Sequence, residues 1–123
     1  MPLKVIVADD SIITVKKLLV LIEGLGHQVV ATAATGREAI EAYREHRPDL
    51  MTMDISMPDM DGMEATAAIV AEFPDARIVM VTALGQERMV IESLEAGAKG
   101  YVLKPVRIEK LSDMIAKVME RTT

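Results

Sequence analysis

Asp9-Asp10, Asp54, Thr82 and Lys104-Pro105 each stand at the end of a short hydrophobic run. The runs are residues 3–8, 49–53, 77–81 and 100–103. Open parallel sheets bind ligands in the crevice at the carboxyl ends of their strands. If these runs are neighbouring parallel strands, three carboxylates, a hydroxyl and an ammonium converge on one spot. Three carboxylates at one edge repel each other unless a cation lies among them. A hard divalent cation such as Mg2+ suits that oxygen-only environment. The constellation reads as a place where Asp54 receives a phosphoryl group and forms an acyl phosphate. Asp9 and Asp10 would hold the metal. Lys104 would neutralise charge on the phosphoryl oxygens, the main demand of phosphoryl transfer. Thr82 would donate its hydroxyl to the new phosphoryl group.

Taken singly, each residue has an ordinary structural explanation. Asp54 could cap a loop, and Asp9 and Asp10 could favour the positive end of the next helix. Lys104 could be a solvated strand-end lysine. Thr82 could be a β-branched strand residue and Tyr101 an edge aromatic. The helix dipole explains poorly why two adjacent acids sit opposite a third. Thr82 and Lys104 at neighbouring strand ends strengthen the chemical reading of Asp54. Removing one acid, as in Asp10→Ala, should also relieve like-charge repulsion.

The elements that must position these groups alternate between two periods. Strands are expected at residues 3–8, 28–34, 49–53, 77–81 and 100–103. Helices with apolar residues at three- and four-residue spacing are expected at about 12–25, 36–46, 62–73, 86–96 and 107–121. Thr35 and Glu38 form a capping box for the second helix, which stops before Pro48. The third stops before Pro74, and Gly26 and Gly97 follow the first and fourth. The fifth carries Ile108, Leu111, Ile115 and Val118 on one face. Five β-α units imply a parallel sheet covered on both faces. Right-handed crossovers restrict the order further. The runs at 3–8, 49–53 and 77–81 are continuously apolar, as central strands should be. Gln28 and Thr32 mark residues 28–34 as the better edge. The favoured order is 2-1-3-4-5.

Composition narrows the function classes. The 123 residues form one domain spanning 1–123, long enough for a single core. A net charge of -5 and only three aromatics argue against direct nucleic-acid binding through phosphates or base stacking. There is no Cys, hence no disulfide or thiolate metal site. No signal-peptide pattern or membrane-length apolar run is seen, which favours the cytoplasm and no membrane insertion. The ten Met residues suit core filling.

A set of stretches then falls into place: Val7-Ala8-Asp9-Asp10-Ser11, Met53-Asp54-Ile55-Ser56-Met57-Pro58, Asp61-Gly62, Val81-Thr82-Ala83, Gly97-Ala98 and Tyr101-Val102-Leu103-Lys104-Pro105. Together they resemble the receiver domain of bacterial two-component response regulators, most of all the stand-alone chemotaxis regulators. The resemblance spans the whole chain. It implies a flavodoxin-like, doubly wound five-stranded parallel sheet with five helices. It also implies that Asp10, Asp54 and the backbone carbonyl of Ser56 bind Mg2+ directly while Asp9 acts mostly through water. The Lys104-Pro105 bond is cis in such domains. Thr82 and Tyr101 would couple phosphorylation to a surface made by the fourth helix, fifth strand and fifth helix, around Val90, Tyr101 and Leu103 and rimmed by Arg88, Lys99 and Lys110. The implied phosphodonor is a sensor histidine kinase or histidine phosphotransfer protein. The implied receiver of the signal is a downstream protein, such as a flagellar motor switch. The chain would catalyse only its own phosphorylation and dephosphorylation, as a monomer or a weak phosphorylation-dependent dimer. The lack of an effector domain favours a diffusible shuttle.

Some positions depart from the commonest pattern. Ala8 precedes the acidic pair, and Val106 follows Pro105 where Phe is frequent. Ser56 and Leu84 are variable positions that tune water access to the acyl phosphate. A receiver cut from a longer DNA-binding regulator would look the same. A haloacid dehalogenase-type phosphatase would need a second Asp where Ser56 stands, and a cap domain. A non-phosphorylated interaction module would not need the acids and Lys104.

Overall fold

The computed structural model describes residues 2–83 and 85–120. Leu84, and the expected end of the last helix at Arg121, lie outside the described residues. Five strands and five helices alternate: β1 (Lys4–Ala8), α1 (Ile12–Gly24), β2 (Gln28–Ala33), α2 (Gly36–His46), β3 (Leu50–Asp54), α3 (Gly62–Glu72), β4 (Ile78–Thr82), α4 (Glu87–Glu95), β5 (Gly100–Leu103) and α5 (Ile108–Glu120). All pairings are parallel and the order is β2-β1-β3-β4-β5. That is the expected flavodoxin-like topology. Among the described residues no helix is long and apolar enough to cross a membrane.

Local signals explain the boundaries. Ser11 caps α1 by accepting from the Thr14 amide, and Asp61 caps α3 by accepting from the Glu64 amide. Thr35 caps α2 as expected, accepting from the Glu38 amide. The Glu38 carboxylate reaches back to the amide of Ala34 rather than that of Thr35, so the reciprocal half of the box is displaced by one residue. Gly26 and Gly97 follow α1 and α4 with φ of 90° and 119°, a left-handed geometry that glycine adopts without a Cβ penalty. β3 and β4 each run one residue further than the apolar pattern, so Asp54 and Thr82 are the last residues of their strands.

Alternation along the central strands divides the core in two. One half, beneath α2, α3 and α4, contains Ile6, Met51, Met53, Met80, Tyr43, Ile69 and Val90, with Met60, Met63 and Met89 packed against it. The other, beneath α1 and α5, contains Val5, Val7, Leu18, Ile22, Val79, Val81, Leu111 and Val118. Ile108 departs from expectation: it is exposed, while Leu111, Ile115 and Val118 are buried. It is the first residue of α5, nearly a full turn before Leu111, where the helix settles on the sheet.

Thr52, in the middle of β3, is fully buried and its hydroxyl has no hydrogen-bond partner. A buried hydroxyl without a partner carries its desolvation cost uncompensated. Thr52→Val keeps the branched shape and removes the polar atom. The variant is expected to be more stable by about 1 kcal/mol, read from its urea midpoint. An unchanged or lower midpoint would mean that the hydroxyl is satisfied in solution.

Candidate functional site

Parallel strands present their carboxyl ends at one edge, and the chemistry-bearing residues gather there. Asp9 follows β1 and is held by its backbone amide donating to Ala33 O at 2.8 Å. Its Oδ1 accepts from the Ser11 amide at 2.8 Å. Its Oδ2 is buried, lies 3.2 Å from Lys104 Nζ, and accepts no hydrogen bond of good geometry. Asp54, at the end of β3, is only 5% exposed, and its Oδ1 lies 3.5 Å from the same Nζ. Asp10 is exposed, with its carboxylate still in the group. Asp9, Asp10 and Asp54 each bring an oxygen within 4.8 Å of the others. Lys104 is anchored by its amide donating to Thr82 O at 2.7 Å, and the Lys104-Pro105 peptide is cis.

The electrostatics are those of an acid-rich, water-poor edge. The Asp54 carboxyl is pushed up to about 6, first by burial and then by the Asp9 charge, against the downward pull of Lys104. Asp10 contributes least to that upward push. Relief of repulsion is therefore expected chiefly from changing Asp54 or Asp9, and little from Asp10→Ala. The Lys104 ammonium reaches two of the three carboxylates, Asp9 and Asp54. Oxygen-only donors at this spacing, with a buried Asp9 Oδ2 that makes no hydrogen bond of good geometry, fit a hard divalent cation.

Thr82 is fully buried and its hydroxyl is engaged by the loop that follows β4. It donates to Gln86 Oε1 at 2.7 Å, with Ala83 O a weaker alternative at 3.3 Å. The same Oε1 accepts from the Ala83 amide at 2.8 Å, and Gln86 Nε2 donates to Ser56 Oγ at 3.1 Å. Ser56 is thus joined to the Thr82 loop. Gln86 was not foreseen. Its only signal in the sequence is a polar residue four positions after Thr82, at the start of a helix.

Tyr101 stands apart from the acids. It and Leu103 share the outer face of β5, 42% and 46% exposed, as their spacing requires. With Thr82, Gln86, Val90, Ile91 and Leu94 they line a groove of about 410 Å³. Val90, expected at the surface, is buried, and the exposed apolar residues of α4 are Ile91 and Leu94. The reason is helix rotation: Ser93, also buried, turns its hydroxyl back to Met89 O, which places Val90 with it against the sheet.

Comparison with known proteins agrees with this geometry. Residues 5–116 match the response regulator receiver domain. The chemotaxis protein CheY of Thermotoga maritima is 39% identical over 115 residues, covering 94% of this chain and 96% of that protein. The transcriptional regulatory protein YhcZ of Bacillus subtilis is 40% identical over 110 residues, 89% of this chain but 51% of that protein. A chain of the crystallised CheX–CheY–BeF3–Mg2+ complex of Borrelia burgdorferi superposes with a TM-score of 0.91 at 36% identity, covering 97% of this chain and 90% of that one. The chain therefore belongs to the response regulator receiver family of two-component signalling, and is similar to the chemotaxis protein CheY.

Proposed function

We propose that this chain, as one receiver domain over residues 1–123, is a phosphorylation-activated switch in which Asp54 accepts a phosphoryl group from a histidine kinase or histidine phosphotransfer protein. The observation that carries the reading is Lys104 Nζ set between Asp9 Oδ2 and Asp54 Oδ1, among three clustered carboxylates. An Asp54 oxygen forms its bond to phosphorus as the bond to the donor's imidazole nitrogen breaks. Lys104 lies where it can follow the charge onto a phosphoryl oxygen, and strand ends on either side hold it there. Asp9, Asp10, Asp54 and the Ser56 carbonyl would hold Mg2+, which when bound neutralises charge on the phosphoryl oxygens. Thr82 turns its hydroxyl to the phosphoryl group, and the groove beside it gives Tyr101 room to follow. The population then shifts toward a form that binds a downstream protein. The likeness to CheY supports a chemotaxis role in the cytoplasm, with a flagellar motor switch as target. The partial coverage of YhcZ supports a second reading, a receiver that serves a transcriptional regulator.

Incubation with Mg2+ and acetyl phosphate should give one acid-stable, base-labile phosphoryl adduct per chain. Asp54→Asn, nearly isosteric but a poor nucleophile, should give none. Full labelling of that variant would show that another residue is the acceptor.

A further inference from the structure

Gln86 is the N-cap of α4, but its side chain makes no capping bond to that helix. It turns instead toward the sheet edge and joins three partners on two loops. The Ala83 amide can only donate, so the amide atom facing it is the oxygen. That fixes Oε1 toward Thr82 and Ala83, and Nε2 toward Ser56. Closing the turn after β4 requires only the bond from Ala83. The bonds to Thr82 and Ser56 are additional, and they join the last residue of β4 to the loop two residues past the end of the acceptor strand.

The Thr82 hydroxyl has one proton to donate. In this structure Gln86 takes it at 2.7 Å. A phosphoryl oxygen on Asp54 would need the same proton. We propose that Gln86 is the latch of the resting state: its amide oxygen competes with the phosphoryl group for the Thr82 hydroxyl, and its amide nitrogen ties the loop after β3, at Ser56, to the loop after β4. The inference rests on Asp54 being the phosphoryl acceptor. Gln86 is a positioning residue, acting on the site only through Thr82 and Ser56. It is partly exposed, so water can replace a lost partner and release costs little. A latch of this kind sets how far the unphosphorylated protein samples the switched form.

The test is titration with beryllofluoride in the presence of Mg2+, following the amide resonances of Tyr101 and Leu103. The proteins are the parent, Gln86→Ala, Gln86→Glu, Thr82→Ala and the double variant Thr82→Ala/Gln86→Ala, with thermal melts to show that each is folded. Gln86→Ala should bind beryllofluoride about fivefold more tightly, the worth of about one net hydrogen bond. Its ligand-free resonances should lie part of the way toward the saturated positions of the parent. Gln86→Glu keeps the acceptor oxygen but loses the donor to Ser56, so its ligand-free resonances should move less than those of Gln86→Ala. In the Thr82→Ala background, Gln86→Ala should gain less than it does in the parent, because the contested proton is gone and only the tie to Ser56 is left to release. An equal gain with and without Thr82, or no gain, overturns the latch while leaving the acceptor assignment intact. A parent that is folded but binds no beryllofluoride overturns the acceptor assignment, and the latch with it.

Discussion

In metal-free buffer at pH 8, Asp54→Asn protein should melt about 8 °C above the parent, and near pH 4 the difference should almost vanish. The cause is the cost of ionising a carboxyl at a buried, acid-crowded edge. Folding raises the Asp54 carboxyl from 3.8 to about 6. Between about pH 4 and pH 6 the folded state keeps a proton that the unfolded chain has lost. Stability is therefore fully present below the unfolded value, falls as pH rises through that window, and stays reduced above it. At 1.36 kcal/mol per unit the offset corresponds to an upper bound of about 3 kcal/mol, and asparagine escapes it because it cannot ionise. Calorimetric melts of both proteins across this range give the comparison. A melting difference that is the same at both pH values would trace the effect to packing rather than ionisation. Magnesium should raise the parent's melting point more than that of Asp54→Asn, since a bound cation compensates the charge that the variant lacks.

The second large effect is expected at Gly62, the first residue of α3. A Cβ built there would collide with the carbonyl oxygen of Asp54 and lies 3.0 Å from Ile55 Cα. Both are backbone atoms, so no flexible side chain can give way, and the Gly62 amide is also bonded to Ile55 O at 2.8 Å. Gly62→Ala must push α3 away from the end of β3. The expected loss is about 3 kcal/mol, at the upper end for overpacking, and the shift falls on the acceptor residue itself. Acetyl phosphate labelling should therefore slow even where the variant remains folded. Gly24→Ala is the control, because a Cβ there meets nothing within 4 Å. It should leave the urea midpoint within about 1 kcal/mol of the parent or raise it. Equal midpoints for Gly62→Ala and the parent would mean that the close approach relaxes without cost.

Most of the fold was legible because two periods alternate cleanly along the chain and punctuation by Gly and Pro is frequent. The apolar continuity of β1, β3 and β4 correctly placed them in the middle of the sheet. The acids and Lys104 could be grouped because parallel strands must end at the same edge. What failed was of another kind. Hydrophobic pattern names a helix face but not the rotation at which the helix docks. Met89, Val90, Ile91 and Leu94 offer two apolar faces, and tertiary packing chose the one containing Val90. Strand limits slipped by one residue at Asp54 and Thr82, because polar side chains at a ligand edge interrupt the apolar run before the ladder ends. Gln86 was invisible for a different reason. Its contacts depend on how far a long side chain reaches between loops, and sequence spacing carries no record of that.

The unequal halves of the core have a mechanical consequence. Under α1 and α5 the filling is branched Val, Leu and Ile, whose few rotamers make a stiff bed. Under α2, α3 and α4 it is rich in thioethers, with Met51, Met53, Met57 and Met80 buried and Met60, Met63 and Met89 beside them. Unbranched thioether chains can change shape at nearly constant volume. The sheet is thus backed by a firm support on one side and a compliant cushion on the other. The loops that carry Ser56, Thr82 and Gln86 lead into α3 and α4, on the cushioned side, so displacement there can be absorbed by rotamer exchange instead of opening voids. Oxidising agents would act on the same asymmetry in reverse, because sulfoxides would polarise the yielding half throughout, whereas in the firm half they would form at Met114 and Met119, packed at its margin.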